Sequence, residues 1–102
     1  MRAFQVTDFN KPATLENVAA PTPQAGEVLL EIAACGLNFA DTLMEKGAYQ
    51  DTPVPPFTLG MEVCGTVTAH GEGVQSPPIG ARVAVFGGQG GLADQGVFPA
   101  AL

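Results

Sequence analysis

The stretch 27–46 limits the fold of this chain more than any other. Val28, Leu30, Ile32 and Ala34 alternate with Glu27, Leu29, Glu31 and Ala33. One face is apolar while the other carries two acids. That period of two marks a half-buried strand of an antiparallel sheet over residues 27–34. At Cys35-Gly36 the alternation stops and a short helical pattern takes over. Phe39 and Leu43 are four apart, as are Ala40 and Met44, which gives two apolar stripes on a helix over 39–46. Asn38 stands at its start, where a side-chain oxygen can accept a free backbone N–H. Asp41 puts negative charge in the first turn, at the positive end of the helix dipole. Gly47 suits the left-handed residue that ends a helix. A strand thus delivers a short helix at a fixed point, with a polar side chain at the junction. Asn38 is then either a cap alone or a side chain that also faces a cleft.

Short strands with turn residues between them make up the rest. Residues 1–6 and 14–18 read as strands, separated by a turn of Asp, Asn, Lys and Pro. Residues 21–26 form a rigid connection, because proline fixes φ and has no N–H for a ladder. Segment 47–59 reads as a long loop holding Tyr49, the sole tyrosine, with Pro53, Pro55 and Pro56. Residues 62–70 form a strand with Val63, Gly65, Val67 and Ala69 on one face. His70, the sole histidine, ends it and reads as an exposed surface residue. A fifth strand covers 82–86, and 92–98 reads as a sixth, weakened by Gly96. Most of the 13 glycines and 9 prolines fall between these runs, which means turns rather than disorder. A chain of 102 residues is one domain by length. Short strands at regular spacing point to a small β-barrel or sandwich.

Charge and cysteine usage exclude several functions. Four basic residues stand against 10 acids, for a net charge of -6. Arg2, Lys11, Lys46 and Arg82 are scattered, so no summed positive field exists for nucleic acid or an anionic membrane. Cys35 and Cys64 form no C-x-x-C pair and supply no framework for structural zinc. They read as small buried hydrophobes in a reducing, cytoplasmic compartment. Residues 1–20 hold no long apolar stretch, and no run approaches transmembrane length.

Gly88-Gln89-Gly90-Gly91-Leu92-Ala93 matches G-x-G-x-x-A and follows a strand. A dinucleotide fingerprint also needs a helix next and an acid about 20 residues later. Val97, Phe98 and Pro99 fit a helix interior poorly. The glycine run therefore reads as a flexible loop between two strands.

Ala34-Cys35-Gly36-Leu37-Asn38-Phe39-Ala40-Asp41, followed by Lys46-Gly47-Ala48-Tyr49, resembles the N-terminal domain of the medium-chain dehydrogenase/reductases. It is most similar to their zinc-independent quinone oxidoreductase branch. The likeness runs on through Pro21-Thr22-Pro23, Gly26-Glu27-Val28-Leu29, Gly60-Met61-Glu62-Val63-Cys64-Gly65-Thr66-Val67 and Gly80-Ala81-Arg82-Val83-Ala84-Val85-Phe86. The fold it implies is mainly β: a GroES-like, partly open β-barrel with one or two short helices over residues 1–102. The Rossmann cofactor domain of such enzymes is absent from this chain.

In zinc-dependent members of the superfamily a cysteine ligand matches Asn38, and a histidine ligand matches Met61. An amide and a thioether cannot replace thiolate and imidazole, so the resemblance implies no zinc. The hydroxyl that relays protons in those members matches Ala40. What remains is hydride transfer to a quinone or α,β-unsaturated carbonyl, with NADPH bound mainly by the Rossmann domain. The resemblance puts Asn38 against the nicotinamide side of the cofactor, and Phe39, Tyr49 and Met61 in the substrate pocket. It assigns no certain catalytic residue. From the residues alone, Phe39 and Tyr49 serve equally well as core side chains, and Asp41 and Glu62 as structural acids beside Lys46 or Arg82. Glu45 stands where many relatives have arginine, which reverses any anion contact there. The full-length enzyme is expected to be a homodimer, and this domain alone inactive. Two other readings keep the fold: an enoyl-thioester or enone reductase of the same superfamily, and a non-enzymatic GroES-like assembly module.

Overall fold

A computed structural model describes residues 1–101. Among them run β1 (Arg2–Val6), β2 (Thr14–Asn17), β3 (Glu27–Gly36), α1 (Phe39–Glu45), β4 (Phe57–Thr58), β5 (Glu62–His70), β6 (Arg82–Phe86) and β7 (Gln95–Pro99). The strands form two antiparallel sheets, ordered β2-β1-β4 and β6-β5-β3-β7. The sheets do not close on each other, so the architecture is a mainly β, partly open barrel with one short helix. That helix is not long and apolar enough to cross a membrane.

Alternation builds the core of the larger sheet. Val28 and Leu30 of β3, Val63 and Val67 of β5, Val85 of β6 and Phe98 of β7 form one buried cluster. A second cluster joins Val6, Ala13, Met44, Phe57, Leu59 and Met61 under the smaller sheet and α1. The aromatic rings of Phe9 and Phe57 tilt against each other there, with centroids 6.3 Å apart.

Three features depart from the expected pattern. The register of β3 against β5 shifts between Ile32 and Ala34. Such a bulge swaps the faces of the residues after it. Ala33 and Ala34 are consequently both exposed, and Cys35 packs on the core of the larger sheet. The expected loop 47–59 contains β4, whose Phe57 and Thr58 pair with Val6 and Gln5 of β1. The expected strand 92–98 begins only at Gln95, because residues 92–94 cross from one sheet to the other. There the Phe4 N–H donates to the Leu92 carbonyl at 2.8 Å, and the Ile32 N–H to the Asp94 carbonyl at 3.0 Å.

His70 is half-buried rather than exposed, with Nε2 2.7 Å from the Pro77 carbonyl. A carbonyl only accepts, so Nε2 carries the proton and pins the turn before β6.

Candidate functional site

The junction between β3 and α1 is organised by a buried acid. Asp41 is 6% exposed. Its Oδ2 accepts the Asn38 backbone N–H at 2.9 Å, and its Oδ1 accepts the Gly60 N–H at 3.3 Å. Two backbone donors satisfy the carboxylate, which is what its burial requires. They also tie the start of α1 to the segment that carries Met61. These partners replace the expected pairing of Asp41 with Lys46 or Arg82.

Asn38 is extended, with φ -127° and ψ 152°. The expected side-chain cap is met only in part. Asn38 and Asp41 stand in a capping-box arrangement, but its firm half is the Asp41 carboxylate, and the Asn38 side chain makes no capping hydrogen bond of good geometry. The Asp41 N–H donates instead to the Asn38 carbonyl at 3.0 Å. The Asn38 Nδ2 is buried and has no hydrogen-bond partner among the described residues. At the other end of α1, Gly47 takes the expected left-handed conformation at φ +73° and its N–H donates to the Met44 carbonyl at 3.1 Å. Glu45, in the last turn, accepts the Ala13 N–H at 2.6 Å through Oε2, so it secures the entry to β2.

The segment before β5 meets the glycine run of residues 87–91 edge to edge. The Gly87 and Gly88 N–H groups both donate to the Met61 carbonyl, at 2.9 and 3.1 Å. Gly90 donates to Thr58 at 2.8 Å, Gly91 to Gly60 at 3.0 Å and Leu92 to Leu59 at 2.8 Å. The run is therefore stitched in place rather than flexible, and β7 follows it instead of a helix. Gly60 makes this approach possible. Its φ is +107°, and a Cβ there would lie 2.5 Å from the Leu92 nitrogen and 2.7 Å from the Cys35 Sγ. The Cys35 thiol pKa is pushed up, mainly by burial and further by the charges of Asp41 and Glu62.

A cleft of about 300 Å³ opens beside this junction, lined by Tyr49, Asp51, Met61, Phe86 and Gln89 among others. Two of the expected pocket residues, Tyr49 and Met61, share it. Tyr49 is half-buried against the second core cluster, and Met61 is 5% exposed. Asn38 and Phe39 do not line it. Phe39 is 77% exposed, contrary to both the core and the pocket expectation. The helix turns its other stripe inward: Met44 is fully buried and Ala40 packs on the same cluster. Asp41 already occupies the inward face, so Phe39 is rotated outward. Sequence reasoning overlooked Asp51, Phe86 and Gln89 in the cleft. All three lie at strand ends or in turns, where no period fixes direction. Among the described residues, no group of three or more His, Cys, Asp or Glu could hold a metal ion.

Residues 24–101 match the family described as the alcohol dehydrogenase GroES-like domain. The chain belongs to that family. A quinone oxidoreductase of Lama guanicoe is 40% identical over 86 residues, covering 81% of this chain and 26% of that protein. The synaptic vesicle membrane protein VAT-1 homolog of Rattus norvegicus is 43% identical over 81 residues, covering 79% and 20%. Among solved structures, the quinone oxidoreductase from Thermus thermophilus, described with its NADPH complex, matches with TM-score 0.82 and 39% identity over 99% of this chain and 30% of that one. This GroES-like chain spans roughly a quarter of the length of the curated relatives it matches. Its likeness places it in the quinone oxidoreductase-like branch of the medium-chain oxidoreductases.

Proposed function

We propose that this chain is the substrate-side domain of a longer NADPH-dependent oxidoreductase that reduces quinones or other α,β-unsaturated carbonyls without zinc. The observation that carries the reading is the buried, unpartnered Nδ2 of Asn38. A buried donor left unpaired costs about 1–3 kcal/mol, so the Asn38 amide gains by rotating toward an acceptor supplied from outside the domain. The carboxamide of a nicotinamide offers one. Bound NADPH supplies the hydride. Asn38 orients the cofactor, and the Asp41 carboxylate holds the Asn38 backbone for that task.

Zinc does not fit the residues present. Met61 is a core thioether whose carbonyl is committed to Gly87 and Gly88, and Asn38 is a neutral amide. A conjugated acceptor needs no Lewis acid, because its own π-system takes up the charge that arrives with the hydride. The protein's part is positioning. The exposed Phe86 ring gives a flat acceptor an apolar wall beside Met61, and the Tyr49 hydroxyl can donate to its oxygen.

The test is Asn38→Asp in the full-length enzyme. The side chain makes no firm cap, and Asp is accepted at an N-cap, so the melting temperature should stay within a few degrees of wild type. Loss of the amide donor should lower kcat/KM for a quinone at least about tenfold with NADPH as donor. Unchanged kinetics would remove Asn38 from the cofactor site. One tightly held zinc per chain, by elemental analysis, would overturn the zinc-free reading.

A further inference from the structure

We infer that Asp51 selects acceptors by charge: the cleft takes neutral quinones and enones and disfavours anionic ones, including thioesters on phosphate-bearing carriers. This rests on the reading of the cleft as the acceptor site. Asp51 lies in the turn that follows Tyr49. The Thr52 N–H closes that turn on the Tyr49 carbonyl at 3.1 Å, and the Thr52 hydroxyl donates to the same oxygen. The turn therefore sets Asp51 in fixed relation to Tyr49, the side chain offered to the acceptor oxygen. Both residues line the cleft.

Nothing in the lining offsets the Asp51 charge. Its other side chains, among them Met61, Phe86 and Gln89, are uncharged. Arg2, Lys11, Lys46 and Arg82 are all of the chain's arginines and lysines, and none lines this cleft. The net charge of -6 adds to the same field. An acceptor carrying a sulfonate or phosphate near its ring meets repulsion here that a neutral ring does not. Asp51 is exposed and makes its contribution through solvent, so the repulsion must weaken with salt.

The experiment uses the full-length enzyme with saturating NADPH. The acceptors are a neutral naphthoquinone and its ring-sulfonated analogue. The quantity read is the ratio of kcat/KM for the sulfonated acceptor to that for the neutral one, in wild type, Asp51→Asn and Asp51→Lys. Intrinsic reactivity and the charges of the other domain cancel between variants. The ratio should rise stepwise in that order, by about three- to tenfold overall at low ionic strength. The gain should shrink by at least about half in 0.5 M salt, where the screening length is only a few ångströms. A ratio that stays within about twofold across the series, or a gain indifferent to salt, overturns the role of Asp51 while leaving the acceptor site standing. Absence of NADPH oxidation with the neutral quinone in wild type overturns the acceptor site, and this inference with it.

Discussion

The four-stranded sheet and the junction around α1 are held by different forces. The sheet buries an aliphatic cluster with one phenylalanine, and its backbone is satisfied by the ladders of β6, β5, β3 and β7. The junction buries a carboxylate and an orphan amide nitrogen, and five backbone bonds fasten residues 87–92 to residues 58–61. Non-directional packing tolerates imprecision, whereas hydrogen bonds to a buried acid hold atoms to a few tenths of an ångström. The part of the domain proposed to face the acceptor is the part in which side-chain and loop hydrogen bonds, rather than apolar packing, fix the geometry.

The largest expected effect lies in the sheet. Leu30 is 0% exposed at the centre of β3. Leu30→Ala should cost about 2–5 kcal/mol in urea unfolding. In the full-length enzyme, kcat/KM of the molecules that stay folded should be close to wild type. A loss under about 1 kcal/mol would mean that this sheet is no better packed than the junction.

Asp41→Ala attacks the other region. It leaves the buried Gly60 N–H and the Asn38 N–H without their acceptor, a loss of about 1–3 kcal/mol. The stability cost should be smaller than that of Leu30→Ala, but the activity cost larger, because Asn38 and the Met61 segment lose their common anchor. Asp41→Asn retains the shape and one acceptor oxygen and should recover part of both. If Asp41→Ala lowers stability with kcat/KM intact, the carboxylate is a structural tie and positions nothing.

How far the sequence could be read follows the same division. Wherever a period of two ran unbroken, as in β5 up to Val67 and the first half of β3, the strand and its buried face were legible. The strand-to-helix junction was legible too, from Asn38, Asp41 and Gly47. The bulge after Ile32 was not, since its cause lies in pairing with β5 rather than in local composition. Nor was β4, two residues long and dependent on β1 for its existence. In the site, Tyr49 and Met61 were placed together through family resemblance, while Phe39 faced the wrong way because two apolar stripes competed for one core. Asp41 was legible as charge near a helix end; that it reaches Gly60, 19 residues on, is a tertiary fact. The glycine run looked loose because its partners, residues 58–61, are remote in sequence.

The smallest effect probes the two regions where they touch. Cys35 stands next to the last residue of β3, packs on the core of the larger sheet and lies against Gly60 and Gly91 of the junction. Its thiol pKa lies above the ordinary 9.0, first through burial, then through Asp41 and Glu62. Below the unfolded value the thiol is protonated in both states and adds no pH dependence. As pH rises through that value, the unfolded chain releases its proton first, so stability falls until pH passes the folded pKa. Cys35→Ala should flatten this alkaline decline. The sharper measurement is the pH profile of iodoacetamide labelling at Cys35, read by mass spectrometry in a Cys64→Ser background. Only the thiolate reacts, so the raised pKa should set the onset of labelling above that of an unstructured cysteine. Burial alone is a property of the sheet, and Asp41→Asn would leave it unchanged. The Asp41 charge is a property of the junction, and its removal should bring the onset to lower pH. An onset that does not move would mean that the buried carboxylate spends its field on the two backbone N–H groups it holds and that the thiol answers only to the core around it.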